Sequence, residues 1–184
     1  MSSATLRRAV KIAPVAAVQM EYSPFERDIE NATGTNLLQT CRELGVAIVC
    51  YSPLGRGLLT GAVTSRESVS GANDIRATHL PRFNEENLEA NVKIVNQFKA
   101  FADKKGCTSS QLALAWLLKQ GDDIIPIPGT KRIKYLEENW GAHDIHLTNE
   151  EETAIRKFLE SVELSGTRDV PTGSTYAFVD TKEE

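Results

Sequence analysis

A glycine, a hydroxyl and two cations stand in a row at Gly129-Thr130-Lys131-Arg132, where a helical pattern begins. Backbone N–H groups point out of a helix N-terminus, and the helix dipole favours negative charge there. Gly129 lets a ligand come close to the backbone. Thr130 adds a hydroxyl donor, and Lys131 and Arg132 add charge-assisted hydrogen bonds. A phosphate suits this place, and a solvated, capped helix start is the equal alternative. Farther along the same helix, Glu138 and Asn139 either reach toward a ligand such as an adenine or form an ordinary solvated face.

Two other stretches carry chemistry. Tyr51-Ser52-Pro53-Leu54-Gly55-Arg56-Gly57 leaves an apolar run and offers a ring, a hydroxyl, backbone amides and a guanidinium. In parallel α/β folds, ligands bind outside the carboxyl ends of the strands. The two glycines alone are equally a plain turn, and Arg56 meets either a pyrophosphate or solvent. The third stretch is Gln19 with Glu21 and Tyr22, at the end of another apolar run. A buried Gln needs a partner, in a ligand or in neighbouring backbone. Motifs for nucleophilic or metal hydrolysis are missing: there is no GxSxG, HExxH or GxxxxGK[ST]. GxGxxG is missing as well, so a Rossmann fingerprint is excluded.

The elements that must position these groups follow from periodicity. Ser2 or Ser3 caps a helix to about Ile12, and Pro14 stops it. Val15 to Tyr22 reads as a strand covered on both faces, because its first part is continuously apolar. Asn36 to Leu44 reads as a helix with Leu37, Leu38, Cys41 and Leu44 on one face and Gly45 as its stop. Val46 to Tyr51 is a second buried strand. Residues 60–86 are polar with little periodicity and read as a long loop. Asn87 to Lys105 is amphipathic, with Leu88, Val92, Val95, Phe98 and Ala102 in a stripe. Thr108-Ser109-Ser110-Gln111 is a capping box for a helix buried nearly all round, with Trp116 in the core. A short strand over 123–128 follows. The next helix, from about Lys131, turns Ile133, Leu136 and Trp140 toward the core. A second capping box, Thr148 to Glu151, opens a last helix to about Ser161. Residues 1–162 thus form one domain, and 163–184 form a polar surface tail. Alternating strands and helices predict a parallel α/β unit.

Composition narrows the function. The chain has 184 residues, too few for a complete (β/α)8 barrel of about 250. Its net charge of -4 argues against a general nucleic-acid binder. Cys41, Cys50 and Cys107 are odd in number and lack a CxxC, which fits a reducing, cytoplasmic setting better than disulfides or zinc. His143 and His146 read as a solvated loop rather than a metal pair. No apolar run approaches the roughly 20 residues of a membrane span. The first twenty residues overlap a transit peptide in composition, but they run without a break into a strand, so a helix and strand is the preferred reading.

Taken together, three stretches resemble the aldo-keto reductases, nearest to the YakC-like and pyridoxal-reductase-like branch. They are Ala17 to Pro24, Tyr51 to Gly61, and Ile127 to Arg132 continuing through Leu136-Glu137-Glu138-Asn139. Each is modest, but their order and spacing match over nearly the whole chain. The resemblance implies part of a (β/α)8 barrel that binds NADPH without a Rossmann fold. It implies Gln19 on the nicotinamide carboxamide and Tyr51 stacked on the nicotinamide ring. Ser52, Leu54, Gly55 and Arg56 would line the pyrophosphate. Gly129, Thr130, Lys131 and Arg132 would hold the adenosine 2′-phosphate, and Glu138 and Asn139 would contact adenine.

The family's catalytic Asp, Tyr, Lys and His lie on its first four strands, and none has a matching position here. Ser3 to Ala9 resembles the helix after the fifth strand, so the expectation is a C-terminal, cofactor-binding part with about three strands. No tyrosine among Tyr22, Tyr51, Tyr135 and Tyr176 is carried over as a proton donor. Relatives often have Arg-Tyr-Pro in the tail where this chain has Arg168-Asp169-Val170-Pro171. The expected partners are NADPH, a small carbonyl substrate, and either a separate N-terminal half or a second copy. Three strands would leave unpaired edges and a bare inner face.

Overall fold

The computed structural model describes residues 1–71, 74–167 and 178–182. Three strands, β1 (Ala17–Glu21), β2 (Ala47–Tyr51) and β3 (Ile124–Pro126), form one parallel sheet in the order β1-β2-β3. Ala17 pairs with Ala47 and Glu21 with Tyr51, while Val49 pairs with Ile125. The sheet does not close on itself. The helices are α1 (Ser3–Ile12), α2 (Leu37–Leu44), α3 (Arg76–His79), α4 (Glu85–Lys105), α5 (Ser109–Lys119), α6 (Ile133–Trp140) and α7 (Asn149–Ser161).

Local chemistry explains the boundaries. The Ser2 side chain accepts from the Thr5 N–H and starts α1. Gly45 and Gly106 end α2 and α4 in left-handed conformations at φ 66° and 76°, which glycine adopts without penalty. Both capping boxes form, Thr108 with Gln111 and Thr148 with Glu151.

The core lies on one face of the sheet. Val18, Met20, Ile48, Cys50 and Ile124 pack there beneath Leu112, Ala115, Trp116 and Leu117 of α5 and Leu37, Leu38 and Cys41 of α2. Burying each large side chain contributes roughly 1.5–3 kcal/mol. Trp116 is fully buried, with Tyr22 edge-on at 5.7 Å and the Arg156 guanidinium over its ring at 5.3 Å.

Three expectations need correction. β1 is not covered on both faces: Val18 and Met20 are buried, but Ala17 and Gln19 are exposed. On the same open face Ala47, Val49 and Tyr51 are half-buried, and Ile125 and Ile127 are exposed. The apolar run in β1 reflects small and medium side chains on a sheet face that the described residues leave partly exposed. Second, Ile133, Leu136 and Trp140 do not enter the core; Trp140 is 78% exposed. The helix is turned so that Glu138 and Asn139 face inward, and Glu138 accepts a hydrogen bond from the Thr108 hydroxyl at 2.8 Å. Third, residues 60–86 are not a bare loop. They hold 3-10 turns at Arg66–Val69 and Pro81–Phe83, helix α3, and a second small core of Leu58, Val63, Val69, Ala77, Leu80, Phe83, Leu88 and Val95. Apolar residues spaced too irregularly for any period still meet once the segment folds back on α4.

The tail is coil where described, yet it is tied down. Fully buried Asn91 donates to the carbonyls of Arg82 and Ser165, and its own oxygen accepts from the Ser165 N–H at 2.8 Å. Residues 178–182 return to α1: Ser2 bonds Asp180, Arg8 donates to Thr181, and the Thr181 N–H donates to Thr5. Arg168 to Pro171, Gly173 and Tyr176 lie outside the described residues.

The open face and the free edges of β1 and β3 predict self-association. Sedimentation of the purified chain should show oligomers, with dye binding to exposed apolar surface. Ile125→Lys with Ile127→Lys should shift it toward monomer. A monomeric wild type with one sharp unfolding transition would contradict this.

Candidate functional site

Of the polar groups singled out from sequence, Tyr51 ends β2 with Ser52 to Gly57 after it, Gly129 to Arg132 follow β3, and Gln19 lies within β1. The Ile127 N–H donates to the Cys50 carbonyl at 3.1 Å, so the chain leaving β3 runs beside Tyr51 and Ser52. Ser52 turns sharply with φ 50°, and the following turn closes through Gly55 N–H to the Ser52 carbonyl at 2.9 Å. Gly55, Arg56 and Gly57 follow with φ 57°, 55° and 94°. A run of left-handed residues aims backbone groups in directions that helix and strand do not, and such concavities suit anions. Leu54 is half-buried, while the Arg56 side chain is exposed.

Strand register sets Gln19 and Tyr51 on the same open face, because Gln19 pairs with Val49 and Tyr51 with Glu21. Gln19 is exposed rather than buried, so the sheet supplies it no obligatory partner. Glu21 is buried and lines a small cavity with Phe25, Gly55, Arg56 and Leu58.

Gly129, Thr130, Lys131 and Arg132 are all exposed, ahead of α6. Thr130 Oγ1 accepts from the Arg132 N–H at 3.2 Å. Among the described residues, the N–H groups of Gly129, Thr130 and Lys131 meet no backbone acceptor. A Cβ at Gly129 would touch nothing within 4 Å, so the chain's own packing does not require glycine there. The first turn of α6 holds no acid. Instead Arg132 and Lys134 lie against the Tyr135 ring, at 5.9 and 6.0 Å. With Lys131, three cations crowd the positive end of a helix, which the dipole disfavours until an anion arrives. Glu138 faces α5 through Thr108, with half-buried Asn139 beside it.

One contact was hidden in the polar stretch. Arg76 forks onto Asp74, with Nη2 to Oδ2 at 2.6 Å and Nε to Oδ1 at 2.9 Å, and its Nη1 donates to the Arg56 carbonyl at 3.0 Å. The Arg76 hydrogen bond holds the Asp74 carboxyl below the usual carboxylate range. Asp-x-Arg was the available sequence signal, but the spacing is too common to single out.

Tyr22 is unsuited to acid chemistry. It is fully buried and donates to Glu30, which also pairs with Arg156 at 2.9 Å. Burial, and then the Glu30 charge, push its hydroxyl well above the usual tyrosine range. Cys50 is pushed up to about 12 by burial, so it is an inert core thiol. His143 and His146 line a 480 Å³ groove with Asp122 and Leu118, near the start of β3 rather than its carboxyl end. No three metal-binding side chains gather among the described residues.

A sequence model of the Aldo/keto reductase family matches residues 1–160. The chain belongs to that family. It is 50% identical to an aldo-keto reductase of Strobilurus tenacellus over 173 residues, covering 94% of this chain and 51% of that protein. It is 44% identical to the aldo-keto reductase yakc [NADP(+)] of Schizosaccharomyces pombe over 180 residues, covering 98% of this chain and 52% of that one. Among solved structures, the glycerol dehydrogenase of Gluconobacter oxydans superposes with a TM-score of 0.75 at 26% identity, covering 98% of this chain and 51% of that one. A thermostable aldo-keto reductase in complex with the inhibitor epalrestat gives 0.61 at 26% identity, covering 86% and 46%. This aldo/keto reductase chain therefore spans about half the length of its curated relatives. Its three parallel strands with helices form an incomplete (β/α)8 barrel. The family is one of NADP-dependent oxidoreductases. None of the described helices is long and apolar enough to cross a membrane.

Tyr22→Phe should cost about 1.5–3 kcal/mol of unfolding free energy, the size of a lost hydrogen bond to a charged group. It should leave dinucleotide affinity unchanged. Denaturant titration beside a binding titration checks both halves.

Proposed function

We propose that this chain is the cofactor-binding, C-terminal portion of an NADPH-dependent aldo-keto reductase. It would serve carbonyl-to-alcohol reduction once the rest of the barrel wall is present. The observation that carries the proposal is the cationic start of α6, with Lys131, Arg132 and Lys134 and no acid in its first turn, together with the left-handed turn after the paired strand β2. That pairing fits a ligand with one terminal phosphate and a pyrophosphate some distance away.

NADPH supplies a hydride. The chain's own residues bind and orient. Gln19 would hold the carboxamide from the open sheet face, and Tyr51 would stack on the ring. Ser52, Leu54, Gly55 and Arg56 would line the pyrophosphate. Gly129, Thr130, Lys131 and Arg132 would hold the 2′-phosphate, which selects NADPH over NADH. Glu138 and Asn139 would sit against the adenine, with Glu138 positioned by Thr108. The carbonyl substrate and the acid that protonates it would be placed by the remaining wall, either a separate N-terminal half or another chain on the open face. Residues 1–162 would be the family domain and 163–184 a tail. A cytoplasmic setting suits its free thiols.

A second reading is a non-catalytic protein of this family that binds NADPH or a partner. The Tyr22 hydroxyl favours it, since its proton is buried and held in the hydrogen bond to Glu30.

Titrating the purified chain with NADPH, followed by nicotinamide fluorescence with NADH as control, tests the proposal. Saturable binding that favours NADPH is expected. Lys131→Ala should weaken it about tenfold, as for one lost charge-assisted contact, and leave NADH unchanged. Carbonyl reduction should appear only when an N-terminal half is added. No saturable binding would overturn the proposal.

A further inference from the structure

Arg56 holds a left-handed backbone at φ 55° and ψ 32° although it is not glycine. For such a residue this region is unfavourable, and surrounding contacts must fix it. Arg76 supplies one such contact. The Arg76 guanidinium donates to the Arg56 carbonyl at 3.0 Å, and a Cβ at Gly57 would stand 2.9 Å from the same Nη1. Gly57 therefore keeps the approach open.

Arg76 is itself held on three sides. Asp74 accepts from Nε and Nη2, and its Oδ1 also accepts from the Arg76 backbone N–H at 3.0 Å. The guanidinium lies 5.8 Å from the centre of the Phe83 ring, within the small second core. Asp74 and Phe83 thus hold one donor against one carbonyl.

We propose that Asp74 and Arg76 form a latch that sets the backbone of Arg56, and through it the geometry of the turn at Ser52–Gly57 for a pyrophosphate. This deepens, and rests on, the reading of that turn as part of an NADPH site. Arg76 is a positioning residue and touches no cofactor. Without the latch, Arg56 relaxes toward ordinary right-handed backbone, and the amide and side chain of the turn re-aim.

The test separates this from general support of the fold. NADPH affinity is measured by fluorescence for wild type, Arg76→Ala, Arg56→Gly and the double variant, all as the full chain. Arg76→Ala should bind about tenfold more weakly, the factor that a typical left-handed penalty sets. Arg56→Gly should lose affinity through its missing guanidinium. In that background Arg76→Ala should add less than about twofold, because glycine adopts the left-handed form unaided. Equal losses in both backgrounds would overturn the latch. Arg76→Lys should fail to rescue, since an ammonium cannot fork onto Asp74 and reach the carbonyl together. Asp74→Asn is the milder variant should Arg76→Ala not fold, with a smaller loss of the same kind.

A second readout needs no cofactor. Limited trypsin digestion should cut after Arg56 slowly in wild type and several-fold faster in Arg76→Ala and Asp74→Asn. Unchanged cleavage would overturn the latch. Absence of NADPH binding by every variant, with faster cleavage, would instead discard the cofactor reading and keep the latch.

Discussion

Everything in this molecule depends on one asymmetry: a parallel sheet of three strands buries one face and, among the described residues, leaves the other partly exposed. The buried face carries Val18, Met20, Ile48, Cys50 and Ile124 under α5 and α2. It supplies the rigid floor. The bare face carries Gln19, Val49, Tyr51, Ile125 and Ile127, and the polar groups that matter stand at its carboxyl end. A sheet satisfied on both faces would have no room for a ring against Tyr51. A sheet bare on both would not hold register, since a one-residue slip would exchange the faces.

Electrostatics follows the same division. The chain is acidic overall, with a net charge of -4, yet its cations are not evenly spread. Arg156 is spent inside, paired with Glu30 and Glu152 and stacked on Trp116; burial opposes its charge, and those carboxylates more than restore it. Arg82 is paired with buried Glu26. Among the described residues, Lys131, Arg132 and Lys134 form no such ion pair. Structural arginines thus have their acids built in, while the cations at the start of α6 are exposed.

Much of this was legible in the sequence, for identifiable reasons. Helix ends were visible because Ser2, Gly45, Gly106 and both capping boxes act within a few residues. Trp116 could be placed in the core because α5 is apolar all round. The orientation of α6 could not be read. Ile133, Leu136 and Trp140 share one helical face, and a face tells that something should cover it, not that this chain does. The Thr108–Glu138 bond that turns the helix joins residues thirty apart. The segment 60–86 failed for a related reason: its small core depends on Leu58, Leu88 and Val95, which lie outside or at the margins of the stretch. The site residues were suggested by local motifs. The common face of Gln19 and Tyr51 comes from the register.

The return of residues 178–182 onto the first helix has a topological consequence. Ser2, Thr5 and Arg8 hold Asp180 and Thr181, so the two ends of the chain meet at one patch of surface. Proteins with adjacent ends tolerate being rewired. Here that closeness makes the first helix and residues 178–182 shield one another, so loosening either stretch uncovers the other.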